Sequence, residues 1–525
     1  MSSSAIAEAI APFRNEPGTD FSDPDARCAF EAELQRVRTE ELGRTYPLLV
    51  GGQELTRTEL FESRNPARPS EVIGRHVVAT LDDVQAAVTA ANDAFASWST
   101  TSAPERANLL RRAADRLRQR RHTFSALMVL EVGKAWDEAD GETAEAIDLM
   151  EWYARQMLEM APSRQLTPLP DEDTEFFYVP LGAGAIVSPW NFPLALFTGM
   201  TTAAIVAGNT VVVKPASASP MIAAWLVDLL REVGLPDGVI NFLTGPGGAI
   251  GDALVDHPKI RFVAFTGSKE VGIRINERGA RVQPGQTWLK RIQLEMGGKN
   301  AVIVDETADL DAAADGIVAS AFSFQGQKCS AGSRAIAVDA VYDRLLERVV
   351  ERARQLRVGD PTDPEVQVGP VVDSAAERKI RGYIDIGRAE GRVVLGGGKP
   401  QLDGYFVQPT IVADVGSSAR IAREEIFGPV LAFIRARDFN DALAIANSTE
   451  FGLTGSLYSR DANRLARAKR EFHVGNLYFN RKSTGALMGV HPFGGFNKSG
   501  TDSKAGGPDY LLFFLQAKSL GSRHI

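Results

Sequence analysis

Cysteine is almost absent, with two residues in 525, Cys28 and Cys329. Two cysteines cannot build a disulfide framework, and neither has companion ligands at zinc spacing, so a reducing compartment and no metal site are expected. At least one thiol is then left for chemistry. A large excess of one charge is also missing: the formal net charge is −8, with 24% charged residues of mixed sign. That argues against nucleic acid or an anionic membrane as partner and for a small-molecule substrate. The first residues lack an apolar run behind basic ones, and Glu8 falls early. No secretory signal is therefore expected, and the cytoplasm is the expected location. Residues 180–213 carry no charge, yet Pro189, Asn191, Pro193, Gly208 and Asn209 divide them into pieces too short to span a bilayer. They read as a buried strand, loop and helix. No internal repeat or low-complexity tract stands out.

What is present is a hydrophobic content of 44%, enough at roughly 100–200 residues per domain for two to four cores. The first 44 residues carry Phe30, Leu34 and Val37 at helical spacing and read as an N-terminal arm; residues 46–50 read as a strand before the Gly51-Gly52 turn. Thr80 and Ser102 open capping-box patterns, so residues 80–157 are expected to be mostly helical. From Gly184 onward, β-branched runs at 185–187, 210–213, 239–243 and 262–265 alternate with helix-length segments, and the alternation resumes at 300–304 and continues past Leu453. That is the pattern of parallel βαβ units, so two successive α/β domains are expected. The apolar run 510–514 would be a liability as a free edge strand, and either a partner subunit covers it or it closes a sheet within its own chain.

Five segments carry chemistry. Cys329 lies among small and polar residues in residues 324–334, beside Lys328, whose charge is expected to favour the thiolate; a structural cysteine would have apolar flanks. Glu295 precedes Gly297-Gly298 and the run 301–304, a turn able to aim a carboxylate into a cleft as general base, or simply a solvated turn glutamate. Asn191, between Pro189 and Pro193 at the end of strand 185–187, is a candidate oxyanion donor together with the Cys329 backbone N–H, unless the loop is only structural. Lys214, after a strand, suits ribose hydroxyls or phosphate, and residues 265–268 end another strand before a helix whose N-terminus would receive pyrophosphate. The fingerprint G-x-G-x-x-G is absent, since residues 245–251 have the wrong spacing.

In order along the chain, Pro-Trp-Asn-Phe-Pro (189–193), Lys-Pro (214–215), Phe-Thr-Gly-Ser (265–268), Glu-x-Gly-Gly-Lys (295–299), Gly-Gln-x-Cys (326–329), Glu-Ile-Phe-Gly-Pro (425–429) and Pro-Phe-Gly-Gly (492–495) resemble the aldehyde dehydrogenase superfamily. The resemblance runs from about Tyr46 to the C-terminus. It implies two doubly wound, Rossmann-like α/β domains plus a small β oligomerisation flap. The implied limits are 1–45 for the helical arm, 46–160 with 182–293 for the dinucleotide-binding domain, 294–490 for the catalytic domain, and 161–181 with 505–525 for the flap. The implied roles are Cys329 as nucleophile, Glu295 as general base and Asn191 as oxyanion donor. Pro189, Trp190, Lys214, Ser217, Thr266, Gly267, Ser268, Gly272, Glu425 and Phe427 are the implied contacts to NAD. Ser217 stands where many NAD-preferring relatives carry a glutamate, which leaves NADP possible.

Residues 481–489, Arg-Lys-Ser-Thr-Gly-Ala-Leu-Met-Gly, look like the substrate anchor loop of the dehydrogenases that act on L-glutamate γ-semialdehyde, the open form of 1-pyrroline-5-carboxylate. That likeness implies oxidation to L-glutamate, the second step of proline catabolism. Ser330, Gly485 and Ala486 would hold the substrate α-carboxylate, Glu131 and Lys328 would lie near its charged end, and Phe192 and Phe493 would flank its chain. Another semialdehyde or a broad range of aldehydes is the alternative substrate. A homo-oligomer, either a dimer or a dimer-based hexamer, is expected. The matches leave no stretch for a flavin domain, so a proline dehydrogenase is expected as a separate pathway neighbour.

Overall fold

Short β-branched runs separated by helices return the chain to the same end of a sheet, because a right-handed crossover is the connection that packs back onto it. The computed structural model describes residues 11–501 and 503–524, and two seven-stranded sheets organise them. In the first, Arg291–Glu295, Phe262–Thr266, Ala183–Val187, Thr210–Lys214 and Ile240–Phe242 lie parallel in that spatial order. The hairpin Leu48–Val50 and Gln53–Leu55 extends it antiparallel. From the central strand at 183–187 the chain builds outward first to one side and then to the other. The two directions part between that strand and 262–266, a topological switch point of the kind where open α/β sheets bind ligands. Val187 pairs with Lys214 and Phe265, and Thr266 with Glu295, so the carboxyl ends are level there.

The second sheet runs Arg392–Leu395, Thr410–Ala413, Val430–Ala436, Arg334–Val338, Ala301–Val304, Thr454–Tyr458 and Asn476–Phe479, parallel except at the first edge strand. Glu295 ends a strand of one sheet and Ala301 begins a strand of the other, with five residues between them. The carboxyl edge of the first sheet is thereby joined to the amino edge of the second.

The two expected capping boxes are present: Thr80 with Asp83 opens helix Leu81–Trp98, and Ser102 with Glu105 opens Ala103–Gln119. Helices Arg121–Val132 and Trp136–Met160 complete the expected helical region. The arm holds helix Pro24–Arg36, which buries Phe30 and Leu34, after a stretch without regular structure at 11–20; residues 1–10 lie outside the described residues. The strand expected at 46–50 is two strands. Pro47 has no N–H to give a ladder, and Arg44–Tyr46 joins a separate three-stranded sheet while Leu48–Val50 joins the large one.

The run 510–514 is not a strand of either kind expected. It forms a 3₁₀ turn that buries Tyr510, Leu511 and Phe514 in its own chain's core, because Phe514 packs its ring on Phe262 at 5.3 Å and the strand begins only at Leu515. Leu515–Arg523 then pairs along its length with Glu172–Pro180 as a largely exposed two-stranded ribbon. Residues 180–213 hold a strand, a loop, helix Ala195–Val206 and a strand, and among the described residues no helix is long and apolar enough to cross a membrane.

Candidate active site

Cys329 is held by a loop under conformational strain. After helix Leu310–Phe322, Phe324 and Gln325 take left-handed φ values of 45° and 57°. Non-glycine residues adopt these only when their surroundings compel them. Here Gln325 Nε2 donates to the carbonyls of Gly133 (3.0 Å) and Pro370 (3.1 Å), and Gln327 Oε1 accepts from Val372 N at 3.0 Å. Asn300, buried just before strand Ala301–Val304, donates to the Cys329 and Ala331 carbonyls at 2.8 and 2.9 Å and accepts from Thr454 N at 2.9 Å. Gly298 must lack a side chain, since a Cβ there would stand 2.5 Å from the Cys329 carbonyl oxygen.

The residues expected to act with Cys329 converge on it. Buried Asn191 donates its side-chain N–H to the Gln327 carbonyl at 3.0 Å, which places the amide two residues from the sulfur. Glu295 is also buried, and a Cβ on Gly494 or Gly500 would lie 3.1 or 3.3 Å from its Oε1. Burial, followed by the charges of Glu295 and Glu425, pushes the half-buried Cys329 thiol up to about 12. The sulfur therefore lies within the field of both carboxylates. The expectation that Lys328 favours the thiolate is overturned: its ammonium sits 2.6 Å from Glu138, and desolvation together with the charges of Glu295 and Glu425 governs the sulfur.

Around this centre lie the groups proposed for a dinucleotide. Lys214 is 4% exposed, donates to the Pro215 carbonyl at 3.0 Å, and burial lowers its ammonium to about 8. Ser217 donates to the Gly245 carbonyl at 3.0 Å. Ser268 caps helix Lys269–Gly279 through Val271 N, and Thr266 ends the preceding strand with its hydroxyl 3.6 Å from Met200 Sδ. At Gly267 a Cβ would meet the Phe265 ring at 2.5 Å, and at Gly272 it would collide with Met296, so the backbone at this helix start is left bare. Bare N–H groups at a helix N-terminus, with a cation at the end of the strand two places over, fit a pyrophosphate and ribose. Glu425 Oε1 accepts from Gly298 N at 2.9 Å, with its carboxyl pushed up by burial. The neighbouring Phe427, at φ 61°, sets its ring 5.6 Å from that of Trp190, which follows Pro189.

The proposed substrate residues fall into two groups. Ser330 is buried beside the 481–489 loop: its carbonyl accepts from the Ser483 hydroxyl at 3.4 Å, and Ser483 N donates to Ser320 Oγ at 3.0 Å. Gly485 has φ 77°, in the left-handed region that favours glycine, and Arg481 braces the loop through the Thr484 and Gly485 carbonyls at 2.9 and 2.8 Å. Half-buried Phe493 exchanges backbone bonds with Ala505, and half-buried Phe192 adjoins Asn191.

Glu131 is a correction. Its carboxylate accepts from Met221 N and Ile222 N at 2.9 and 3.1 Å, capping helix Pro220–Glu232, so it is committed to that helix and does not pair with Lys328. The acids near Lys328 are Glu138 and Glu145. Burial would raise the Glu138 carboxyl, but Lys328 and Lys134 more than offset it and hold it below its usual range. Burial and the Glu142 charge push Glu145 up to about 8. The amide of Asn300 and these two acids were missed from sequence; a polar amide directly before an apolar strand was the available signal for the first.

The sequence profile of the aldehyde dehydrogenase family matches residues 53–520. A 1-pyrroline-5-carboxylate dehydrogenase of Geobacillus sp. (strain WCH70) is 55% identical over 511 residues, 97% of this chain and 99% of that one. The solved 1-pyrroline-5-carboxylate dehydrogenase from Thermus with bound NAD superposes with a TM-score of 0.96 at 51% identity, over 98% of this chain and 100% of that one. Proline utilization A from Bdellovibrio bacteriovorus superposes with a TM-score of 0.96 at 44% identity, covering 98% of this chain but 53% of that longer chain. With a family match over most of its length, the chain belongs to the aldehyde dehydrogenase family.

Proposed function

We propose that this protein oxidises L-glutamate γ-semialdehyde to L-glutamate with NAD, through a thioester on Cys329. The observation that carries the chemistry is the convergence of the Asn191 amide, bonded to the carbonyl two residues before Cys329, with Glu295 close enough to raise that thiol. The substrate rests on the 55% identical relative of that activity and on the Ser330 and 481–489 arrangement.

Attack forms a bond from sulfur to the aldehyde carbon, and the thiol proton passes to a base or water. The second N–H of the Asn191 amide and the Cys329 N–H hold the resulting oxyanion, a role worth on the order of 100-fold or more in rate. Bound NAD supplies the acceptor for the two electrons and hydrogen released from that carbon. Glu295 then takes a proton from water as it attacks the thioester, the sulfur leaves as thiolate, and L-glutamate is released. Lys214, Gly267, Ser268 and Gly272 would hold the adenosine half and pyrophosphate, with Glu425 and Phe427 at the nicotinamide ribose.

Ser330 and the 485 and 486 N–H groups suit an α-carboxylate, because a carboxylate binds best to several converging donors. Glu145 is the acceptor best placed for the α-ammonium. The ribbon of residues 172–180 and 515–523 supports a homo-oligomer. The likeness to about half of proline utilization A supports a place in proline use, with a proline-oxidising enzyme as the supplier of the substrate, in the cytoplasm. The test is steady-state NADH formation with glutamate semialdehyde, succinate semialdehyde and propanal. Preference for the first by at least tenfold in kcat/KM is expected, and equal turnover of all three would overturn the substrate reading.

A further inference from the structure

We infer that Lys134 is a positioning residue that sets the Asn191 loop against the Cys329 loop. Its ammonium lies 3.9 Å from the ring centroid of Phe192 and 3.9 Å from that of Phe324, with the two rings 6.2 Å apart and nearly perpendicular. Phe192 follows Asn191, and Phe324 opens the strained turn that leads to Cys329. One cation thus touches both of the loops that the Asn191 amide joins through the Gln327 carbonyl.

The ammonium is itself located by Glu142. Their side chains are 2.8 Å apart and both fully buried. The other Glu142 oxygen accepts from Leu194 N and Ala195 N at 2.8 and 3.0 Å, fastening the helix that begins directly after the Asn191 loop. A backbone contact reinforces the arrangement, since Gly133, next to Lys134, accepts from Gln325 at 3.0 Å.

A buried ion pair is a poor source of stability, because desolvation consumes most of what the attraction returns, and an apolar pair of similar size packs as well. What a cation between two ring faces adds is direction: the attraction weakens when either ring slides off the ammonium. Displacement of about 1 Å at a reacting group can cost on the order of 100-fold in rate. The pair therefore serves the geometry of the oxyanion hole.

The inference rests on Asn191 being the oxyanion donor, and the experiment separates the two. Lys134→Met with Glu142→Gln replaces the ion pair by a neutral pair of similar shape and leaves no lone buried charge. Single-turnover NADH formation at saturating aldehyde, NAD affinity and thermal stability are measured for this variant, for Asn191→Ala and for the combination. A fall of about 10- to 100-fold in the single-turnover rate is expected, with NAD affinity unchanged. In the Asn191→Ala background the same change is expected to cost less than about twofold, because the group being positioned is gone. Lys134→Arg should recover most of the rate. Equal losses in both backgrounds, or no loss in the parent, would overturn the inference. A normal rate in Asn191→Ala alone would instead remove the oxyanion reading, and the role of Lys134 with it. Should the neutral pair fail to fold, Phe324→Leu removes one ring face and enters the same cycle: a loss confined to the Asn191 background supports the positioning role, and equal losses overturn it.

Discussion

Alkylation of Cys329 by iodoacetamide, in protein free of nucleotide and aldehyde, is expected to be slow at neutral pH and to climb with pH. Burial and the Glu295 and Glu425 charges push the thiol up to about 12. At pH 7.5 the thiolate is then roughly 3 parts in 100,000, against about one in ten for an unperturbed thiol near 8.5. A more basic thiolate is also a better nucleophile, and with a Brønsted slope of about 0.45 this recovers some 40-fold of the roughly 3,000-fold deficit. The deficit wins, and labelling on the order of 100-fold slower than a free thiol remains. Mass spectrometry of the peptide containing Cys329, with exposed Cys28 as a reference within the same molecule, follows it between pH 7 and 10. The rate should rise about tenfold per pH unit without a plateau, since the thiolate form is gained only as pH approaches the raised value. Glu295→Gln and Glu425→Gln should each speed labelling by removing a negative neighbour. A plateau below pH 9, or labelling at the rate of a free thiol, would refute the electrostatic reasoning.

Glu295→Gln should give one rapid equivalent of NADH per subunit and then turn over about 100-fold more slowly, with acyl-enzyme visible by intact mass; a wild-type steady-state rate would exclude the general-base role. Asn191→Ala should lower kcat on the order of 100-fold while leaving Cys329 labelling unchanged, and a loss confined to KM would contradict an oxyanion role. Asn300→Ala removes three hydrogen bonds, two of them buried, and takes this partner from two carbonyls and the Thr454 N–H, which should cost about 2–4 kcal/mol in urea unfolding; a change below about 1 kcal/mol would show that the cysteine loop holds itself. Glu145, pushed up to about 8, is charged only above that pH. KM for glutamate semialdehyde should therefore fall as pH rises through about 8 and lose this dependence in Glu145→Gln, while KM for propanal stays flat in both.

Much of the site was legible because several of its motifs sit at strand ends. Asn191 follows a strand, and Lys214 and Glu295 each end one. Their level alignment is a consequence of a parallel sheet, which the alternation of β-branched runs and helices already predicts. The helix starts at Thr80 and Ser102 were legible for a similar reason, since a capping box is a local agreement among four residues. Local chemistry misled at Cys329. Lys328 is its neighbour in sequence, yet side chains of consecutive residues diverge, and the lysine turned away to an acid 190 positions earlier in the chain. The apolar run 510–514 misled because hydrophobicity by itself does not distinguish a strand from a buried turn.

The acids show where the limit lies. Glu138, Glu142, Glu145 and Asp148 are spaced four, three and three residues apart on helix Trp136–Met160, which places them on one face. A carboxylate stripe turned inward is uncommon enough to be a signal in itself, because unpaired acids are rarely buried. Spacing could have found that stripe, while Glu131 came from resemblance and lies on a different helix. Spacing could not have said what each acid does. Glu138 meets Lys328, Glu142 meets Lys134 and a helix start, and Asp148 accepts from Asn15 and from Glu16 N at 2.8 and 2.7 Å to fasten the N-terminal arm. The partners come from different segments, Lys328 and Leu194 far along the chain, Lys134 just before the helix and Asn15 in the arm, so one helical face is divided by tertiary packing into a cation anchor, a loop-positioning pair, a candidate ammonium acceptor and a structural clasp. Of the four, Glu145 is the one proposed as acceptor, because the charges of Lys134 and Lys328 offset its burial only in part and leave it at about 8. A carboxyl left there can gain most from a ligand that brings its own positive charge, which is why its titration is the most direct probe of what this site was built to bind.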